Sequence, residues 1–152
     1  MKLKGYTDGA CFPNPGNGGW SWVITENGKL IDQASGSEEN TTNNRMEYLA
    51  MIKLLEAVGH MLSVARTDSQ LLVNTCMVWR HSWKRNGWMK KKTQPVKNLD
   101  LVIRISDLLD KYPVQVEWVR GHNGDEFNEV VDGLANNAAY VFYDVHDHKP
   151  LV

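Results

Sequence analysis

Apolar positions along the chain change period several times, and each change marks an element. Residues 2–8 alternate and predict a strand. Residues 11–19 hold Pro13, Asn14, Pro15, Gly16, Gly18 and Gly19, a turn composition. Alternation resumes over 20–25, with Trp20, Trp22 and Ile24 on one face. Glu26-Asn27-Gly28-Lys29 then predicts a hairpin, and 30–35 its return strand. From Asn43 the period becomes helical, with Met46, Leu49, Ala50, Leu54, Ala57, Val58 and Met61 on one side and Gly59 near the end. Residues 63–67 predict a short strand, and 69–86 an interrupted helix. Residues 84–97, with Gly87 and Pro95, predict a basic loop. Leu99, Val102, Ile103 and Leu109 outline a second clear helix, stopped before Pro113. Val114, Val116 and Trp118 alternate with Gln115 and Glu117 as a last strand. A loop over 121–125 leads to a helix marked by Val131, Leu134, Ala135, Ala138 and Phe142.

Three strands followed by helix, strand, helices, strand and helix give an α/β class. Parallel strands are added to an antiparallel unit, making a mixed sheet covered by helices. A length of 152 residues fits one domain, read as 1–143, with a polar tail over 144–152 that is expected to fray. Hydrophobic residues at 42% and charged residues at 23% exclude a disordered chain. Apolar runs fall well short of the roughly 20 residues of a spanning helix, so no membrane role is expected. Cys11 and Cys76 form no paired motif, and the first residues lack a signal-like apolar stretch. Both point to a reducing, cytoplasmic setting. A monomer is expected, because the chain shows no long exposed apolar stripe.

The net charge of −1 carries no polyanion signature, but its distribution does. Lys84, Arg85, Lys90, Lys91, Lys92 and Lys97 fall in a stretch free of acidic residues, with Trp83 and Trp88 interleaved. That reads as a phosphate-binding face. A solvated loop anchored to the core by its tryptophans remains open as the plainer reading. Gly16-Asn17-Gly18-Gly19 leads into a strand rather than a helix, which argues for a turn over a phosphate loop.

Four acidic residues stand at telling places. Asp8 and Asp68 end predicted strands, Glu47 lies in the predicted first helical turn, and Asp132 sits near the start of the last helix. Strand ends are where sites gather in such sheets. Neighbouring first and fourth strands would bring Asp8 and Asp68 face to face, with Glu47 and Asp132 arriving on helices. Carboxylates so gathered repel one another unless cations neutralise them, and hard oxygen ligands suit Mg²⁺ or Mn²⁺. Two such ions can activate water and stabilise the leaving oxygen of a phosphodiester. Plainer roles stay open: turn or N-cap residues for Asp8 and Asp68, a capping box from Asn44 to Glu47, and helix surface for Asp132. His122, in the glycine-flanked loop Gly121-His122-Asn123-Gly124, is either a mobile proton carrier or polar surface.

Taken together, Tyr6-Thr7-Asp8-Gly9-Ala10-Cys11, Asn14-Pro15-Gly16, Thr42-Asn43-Asn44-Arg45-Met46-Glu47, Thr67-Asp68-Ser69-Gln70, Trp118-Val119-Arg120-Gly121-His122 and Asn128-Glu129-Val130-Val131-Asp132 resemble a type 1 ribonuclease H of the bacterial kind. The resemblance spans about residues 4–140. It implies the ribonuclease H-like fold, a five-stranded mixed sheet in order 3-2-1-4-5 flanked by helices. It further implies endonucleolytic cleavage of the RNA strand of RNA–DNA hybrids with two Mg²⁺ ions, Mn²⁺ being a possible substitute, and products with 5′-phosphate and 3′-hydroxyl ends. By motif match, Asp8, Glu47, Asp68 and Asp132 correspond to the metal-binding carboxylates and His122 to the loop histidine that assists turnover. Within that scheme, Asp8 and Asp68 bind the ions nearest the scissile phosphate, Glu47 helps orient the attacking water, and Asp132 completes the second ion's shell.

The same match assigns Asn14, Asn43 and Gln70 to the minor groove, where 2′-hydroxyls appear, with Cys11 lining that surface through its backbone. Thr42 and Arg45 fall near a pocket for a DNA-strand phosphate, and Asn44 lies on the same surface. Trp83, Lys84, Arg85 and Trp88 belong to a basic protrusion that holds the hybrid. Side-chain amides suit a 2′-hydroxyl because they donate and accept. Val102, Val130 and Gly133 depart from the family pattern, predicting a weaker hybrid grip and a looser start to the last helix. No additional hybrid-binding domain is expected. Two rivals remain at this stage, DNA strand transfer of the integrase type and a non-catalytic hybrid-binding module.

Overall fold

The computed structural model describes residues 3–121 and 125–147. Alternation in the first third produces three strands: β1 (Leu3–Phe12), β2 (Gly16–Glu26) and β3 (Lys29–Thr41). They pair antiparallel, and Asp8 lies opposite Ser21. Asn27 and Gly28 both take left-handed φ values, 52° and 77°, at the β2–β3 hairpin. That matches the sign a type I′ turn requires at both central positions. The strands are longer than predicted. The turn expected over 11–19 shrinks to residues 13–15, and the return strand runs to Thr41 rather than 35. Gly18 and Gly19 look like turn residues but lie within β2, where helices press on the sheet. A Cβ on Gly18 would overlap Thr41 and Met46, and one on Gly19 would overlap the backbone of Ala135 and Ala139.

Helix α1 (Asn43–Val58) follows. Its N-cap is Thr42, whose hydroxyl accepts from Arg45 N at 3.2 Å. Glu47 therefore lies beyond the first turn, and the Asn44–Glu47 capping box does not form. The helix is buried over most of its surface because it packs against the sheet on one side and α4 (Leu99–Lys111) on the other. Strand β4 (Leu62–Thr67) runs parallel to β1, and β7 (Gln115–Trp118) parallel to β4. The sheet order is β3-β2-β1-β4-β7, the predicted 3-2-1-4-5 when sheet strands alone are counted. Val114 and Val116 are buried as predicted, whereas Trp118 is 43% exposed, because its strand ends there and its ring turns toward Asp68.

The predicted interruption is a π-turn, Thr75–Trp79, between α2 (Gln70–Asn74) and α3 (Arg80–Arg85). Beyond it the basic loop forms a short ribbon, β5 (Met89–Lys91) and β6 (Gln94–Pro95). Trp83 and Trp88 pack against the main core, so both anchor the ribbon. Buried Arg80 clasps α3 to α4, donating to the Cys76 carbonyl, the Ser106 carbonyl and hydroxyl, and Asp110 at 2.7–3.3 Å.

The last helix, α5 (Glu126–Asp147), covers the opposite face of the sheet. Asp125 caps it, accepting from Phe127 N and Asn128 N at 3.1 Å. Asp132 thus lies well inside the helix rather than near its start, as Gly133 does. Gly133 is exposed with open space around it, so it does not sit at a loosened helix end. Val102 fills the main core, and Val130 packs beside Tyr6, Val23 and Val131.

Candidate active site

Pairing between β1 and β4 ends at Tyr6 opposite Arg66, while β1 stays bonded to β2 as far as Phe12. The separation opens a notch on the β4 side of β1. Asp8 lies in that notch within the strand, not at its end, and Asp68 follows the last residue of β4. Ser69 caps α2, accepting from Leu72 N at 3.1 Å, so the capping role open to Asp68 belongs to its neighbour. Trp118 Nε1 donates to the Asp68 carbonyl at 3.2 Å, and Val119 N to Thr67 O at 2.9 Å, fixing the corner where Asp68 stands.

Glu47 arrives from α1. Gly9 permits this approach, since a Cβ there would overlap the Glu47 amide and the Met46 carbonyl carbon. One carboxylate oxygen from each of Asp8, Glu47 and Asp68 lies within 4.8 Å of the others. Asp8 is 5% exposed and Glu47 7%. Burial, followed by the negative charges of Glu47 and Asp68, pushes Asp8 far above the usual carboxylate range. Burial also raises Glu47, opposed by its hydrogen bond with Asp8. Asp132, half-buried on α5, lies close enough to Asp8 to help raise its pKa and receives Asn136 Nδ2 at 3.3 Å. Three predicted carboxylates therefore converge tightly, with the fourth at Asp8's flank. Among the described residues, buried Glu47 Oε1 has no hydrogen-bond partner. An orphaned carboxylate oxygen among hard oxygen donors fits a divalent cation. His122 lies outside the described residues.

The predicted substrate residues are spread over the β1–β2 turn, the starts of α1 and α2, and α3 with the ribbon. Asn14 Oδ1 accepts from Asn43 N at 3.1 Å, joining the β1–β2 turn to the start of α1. Cys11 is buried, its thiol donating to the carbonyls of Pro13 and Thr41 at 3.2 and 3.5 Å. Burial raises that thiol's pKa, which leaves it unreactive. Gln70 stands exposed at the first position of α2. Arg45 is engaged in a bidentate pair with Asp100 at 2.7 and 3.0 Å and donates to Asn98 Oδ1 at 3.3 Å. Asn44 lines a cavity of 290 Å³ with Tyr48, Trp79, Trp83, Lys90 and Lys97, connecting α1 to the ribbon. Lys84 pairs with Asp110 at 2.8 Å, and Arg85 is exposed. Sequence reasoning missed Trp79, whose ring lies 5.6 Å from that of Trp83. The separation of four residues on one helical stretch was its available signal. It also missed the Trp118–Asp68 bond, which no spacing encodes.

The sequence model of the RNase H family matches residues 2–140. A "Ribonuclease H" of Francisella philomiragia subsp. philomiragia is 45% identical over 134 residues, covering 88% of each chain. The chain belongs to the RNase H family. A second ribonuclease H, from Francisella tularensis subsp. novicida, is 45% identical over 138 residues, 90% of each chain. Among solved structures, LC9-RNase H1, described as a type 1 RNase H with the type 2 active-site motif, aligns with a TM-score of 0.80 at 31% identity. That alignment covers 91% of this chain and 72% of that one. LC11-RNase H1, solved in complex with RNA/DNA hybrid, aligns with a TM-score of 0.66 at 26% identity over 91% of this chain and 97% of its own. The five-stranded sheet is thus an RNase H fold, and the protein is a nuclease, a hydrolase of phosphodiester bonds. The acidic notch accords with the divalent-ion chemistry of the family.

Proposed function

We propose that this ribonuclease H cleaves the RNA strand of RNA–DNA hybrids as a monomer, leaving 5′-phosphate and 3′-hydroxyl ends. Asp8, Glu47, Asp68 and Asp132 would hold two Mg²⁺ ions. The observation that carries this reading is the convergence of three buried or half-buried carboxylates within 4.8 Å, with Asp132 beside Asp8. A pure polyanion binder gains nothing from negative charge gathered at its centre. When bound, two divalent ions supply an activated water and charge stabilisation at the leaving oxygen. The carboxylates set where the phosphate can lie. His122 is assigned to proton transfer or product release.

Around the notch, Asn14, Asn43 and Gln70 are assigned to the minor groove, with Cys11 presenting backbone there. Thr42 and Arg45 border the path of the DNA strand, and Arg45 acts by fixing the α1 and α4 N-termini rather than as an unengaged cation. Asn44, the α3 residues Trp83, Lys84 and Arg85, and Trp88 just before the ribbon hold the hybrid farther out. Sugar and phosphate contacts carry little base information, so sequence preference is weak.

A strand-labelled hybrid in Mg²⁺, beside RNA and DNA duplexes and an Asp68→Asn control, tests the proposal. Cleavage confined to the RNA of the hybrid and lost in the control is expected. Folded protein that binds hybrid without cutting in Mg²⁺ or Mn²⁺ would favour a binding module. Cutting of all-DNA duplex would favour the strand-transfer class.

A further inference from the structure

Asp132 depends on how α5 seats on the sheet. The first turns of α5 pack on Tyr6 and Val23, but beyond them the sheet offers little relief. Gly19 has no room for a Cβ, and Ala10, Ala135 and Ala139 form a tight small-residue cluster. Such a surface packs closely but does little to stop a helix from sliding along its axis. Two hydroxyls, one fully buried and one half-buried, add directional fixation along the axis. Ser21, fully buried and directly opposite Asp8, donates to the carbonyl of Val131 at 2.6 Å. Ser37 on β3 donates to the carbonyl of Ala138 at 2.7 Å. These carbonyls are seven residues apart, about two turns or roughly 10 Å along the helix.

We propose that Ser21 is a positioning residue for Asp132: its bond to the Val131 carbonyl fixes α5 over Asp8 and so holds the fourth carboxylate at the metal centre. Val131 immediately precedes Asp132, and Ser21 shares a cross-strand pair with Asp8. The serine therefore ties together the backbone beneath both carboxylates without consuming either one. Asp132 otherwise has a partner on its own helix, Asn136, which moves with it. Ser37 makes the same kind of bond far from the carboxylates, so it secures the helix without placing Asp132. This assignment rests on the reading that the four carboxylates bind divalent ions.

The test compares Ser21→Ala with Ser37→Ala. Each removes one hydroxyl donor to an α5 carbonyl, so both should lose thermal stability, fully buried Ser21 more than half-buried Ser37. Calorimetric titration of the ion-free protein with Mg²⁺, without substrate, separates them. Ser21→Ala should weaken Mg²⁺ binding by roughly tenfold, the lower end of what loss of a supporting contact costs a metal site. It should also move the Mg²⁺ dependence of cleavage to higher concentration, with most of kcat recovered at saturation. Ser37→Ala should keep wild-type affinity. In an Asp132→Asn background, Ser21→Ala should weaken binding no further. If Ser21→Ala does not fold, Ser21→Cys keeps the volume with a weaker donor and should show the same direction of shift.

Equal Mg²⁺ affinities for the Ser21 and Ser37 variants, or an undiminished Ser21 effect without the Asp132 carboxylate, would overturn the assignment. Wild-type protein that neither binds Mg²⁺ nor cleaves hybrid would instead remove the functional reading beneath it.

Discussion

Replacing Asp8 with asparagine should abolish cleavage and at the same time make the ion-free protein more stable. Asp8 is buried beside Glu47 and Asp68, with carboxylate oxygens within 4.8 Å. Two unit charges at that separation in an effective dielectric near 20 repel by about 3 kcal/mol. Burial and these neighbours raise the folded pKa of Asp8 above its unfolded value near 4. For a raised group the contribution to stability is most favourable below the unfolded pKa and is lost as pH rises toward the folded value. Asp8→Asn removes a group that must either carry this charge or take up a proton on folding, and retains the shape, so the gain should approach about 3 kcal/mol at pH 8 and shrink toward zero near pH 4. For a chain of this size that corresponds to roughly 6–12 °C in Tm. Thermal melts in chelator across pH 4–8 measure it, and repeats in Mg²⁺ add a second check. The ion should stabilise wild type more than the variant and narrow the gap. A variant no more stable than wild type at pH 8 in chelator, or a gain independent of pH, would refute the electrostatic argument.

Gly9→Ala should lose activity and much of its stability, because the added Cβ overlaps the α1 backbone at Glu47; circular dichroism melts and a cleavage assay check this. Arg80→Ala leaves the buried Ser106 hydroxyl without its guanidinium partner, while exposed Asp110 keeps Lys84, and should cost about 1–3 kcal/mol, read by urea denaturation. Exchanging Lys90, Lys91 and Lys97 for glutamine should raise KM for hybrid with little change in kcat. It should also flatten the salt dependence of binding, as fewer counterions are released. The Mg²⁺ affinity of wild type should rise with pH through neutrality, because ions displace protons held by the Asp8–Glu47 pair; calorimetry in buffers of different ionisation enthalpy would detect those protons.

The strands and the long helices were legible because their apolar periods persist over many residues, whereas the order 3-2-1-4-5 came from the family resemblance and not from any period. Gly18 and Gly19 misled because a turn and a tight helix contact select the same residue type, and alternation cannot distinguish them. Glu47 was misplaced by a turn because several capping residues precede α1, and the side chain that caps depends on backbone geometry. The helix carrying Asp132 starts earlier than its apolar stripe, because Asp125 begins a first turn that is largely polar. The four carboxylates are individually ordinary. Family-like motifs in order singled them out, and spacing alone left each with a capping or surface role. Ser21, Trp118 and Arg80 act through bonds between residues remote in sequence, which no local pattern records.

The acidic notch is a place where function and stability oppose each other, and the fold answers that opposition through the backbone. Thr42 and Ser69 cap α1 and α2, relieving Glu47 and Asp68 of that duty. Trp118 grips the Asp68 carbonyl and Ser21 the Val131 carbonyl. Gly9 lets the Asp8 strand meet α1 without a side chain between them. None of these contacts adds a positive charge to the cluster. A lysine or arginine within it would relieve the repulsion more strongly, but it would occupy the space and satisfy the charge that a cation needs. Backbone fixation resists the mutual repulsion while leaving that repulsion in place, and under the proposed function the repulsion is what would draw divalent ions there. The carboxylates are accordingly distributed over β1, α1, the end of β4 and α5, so that holding them together requires the whole sheet and both of its helical faces.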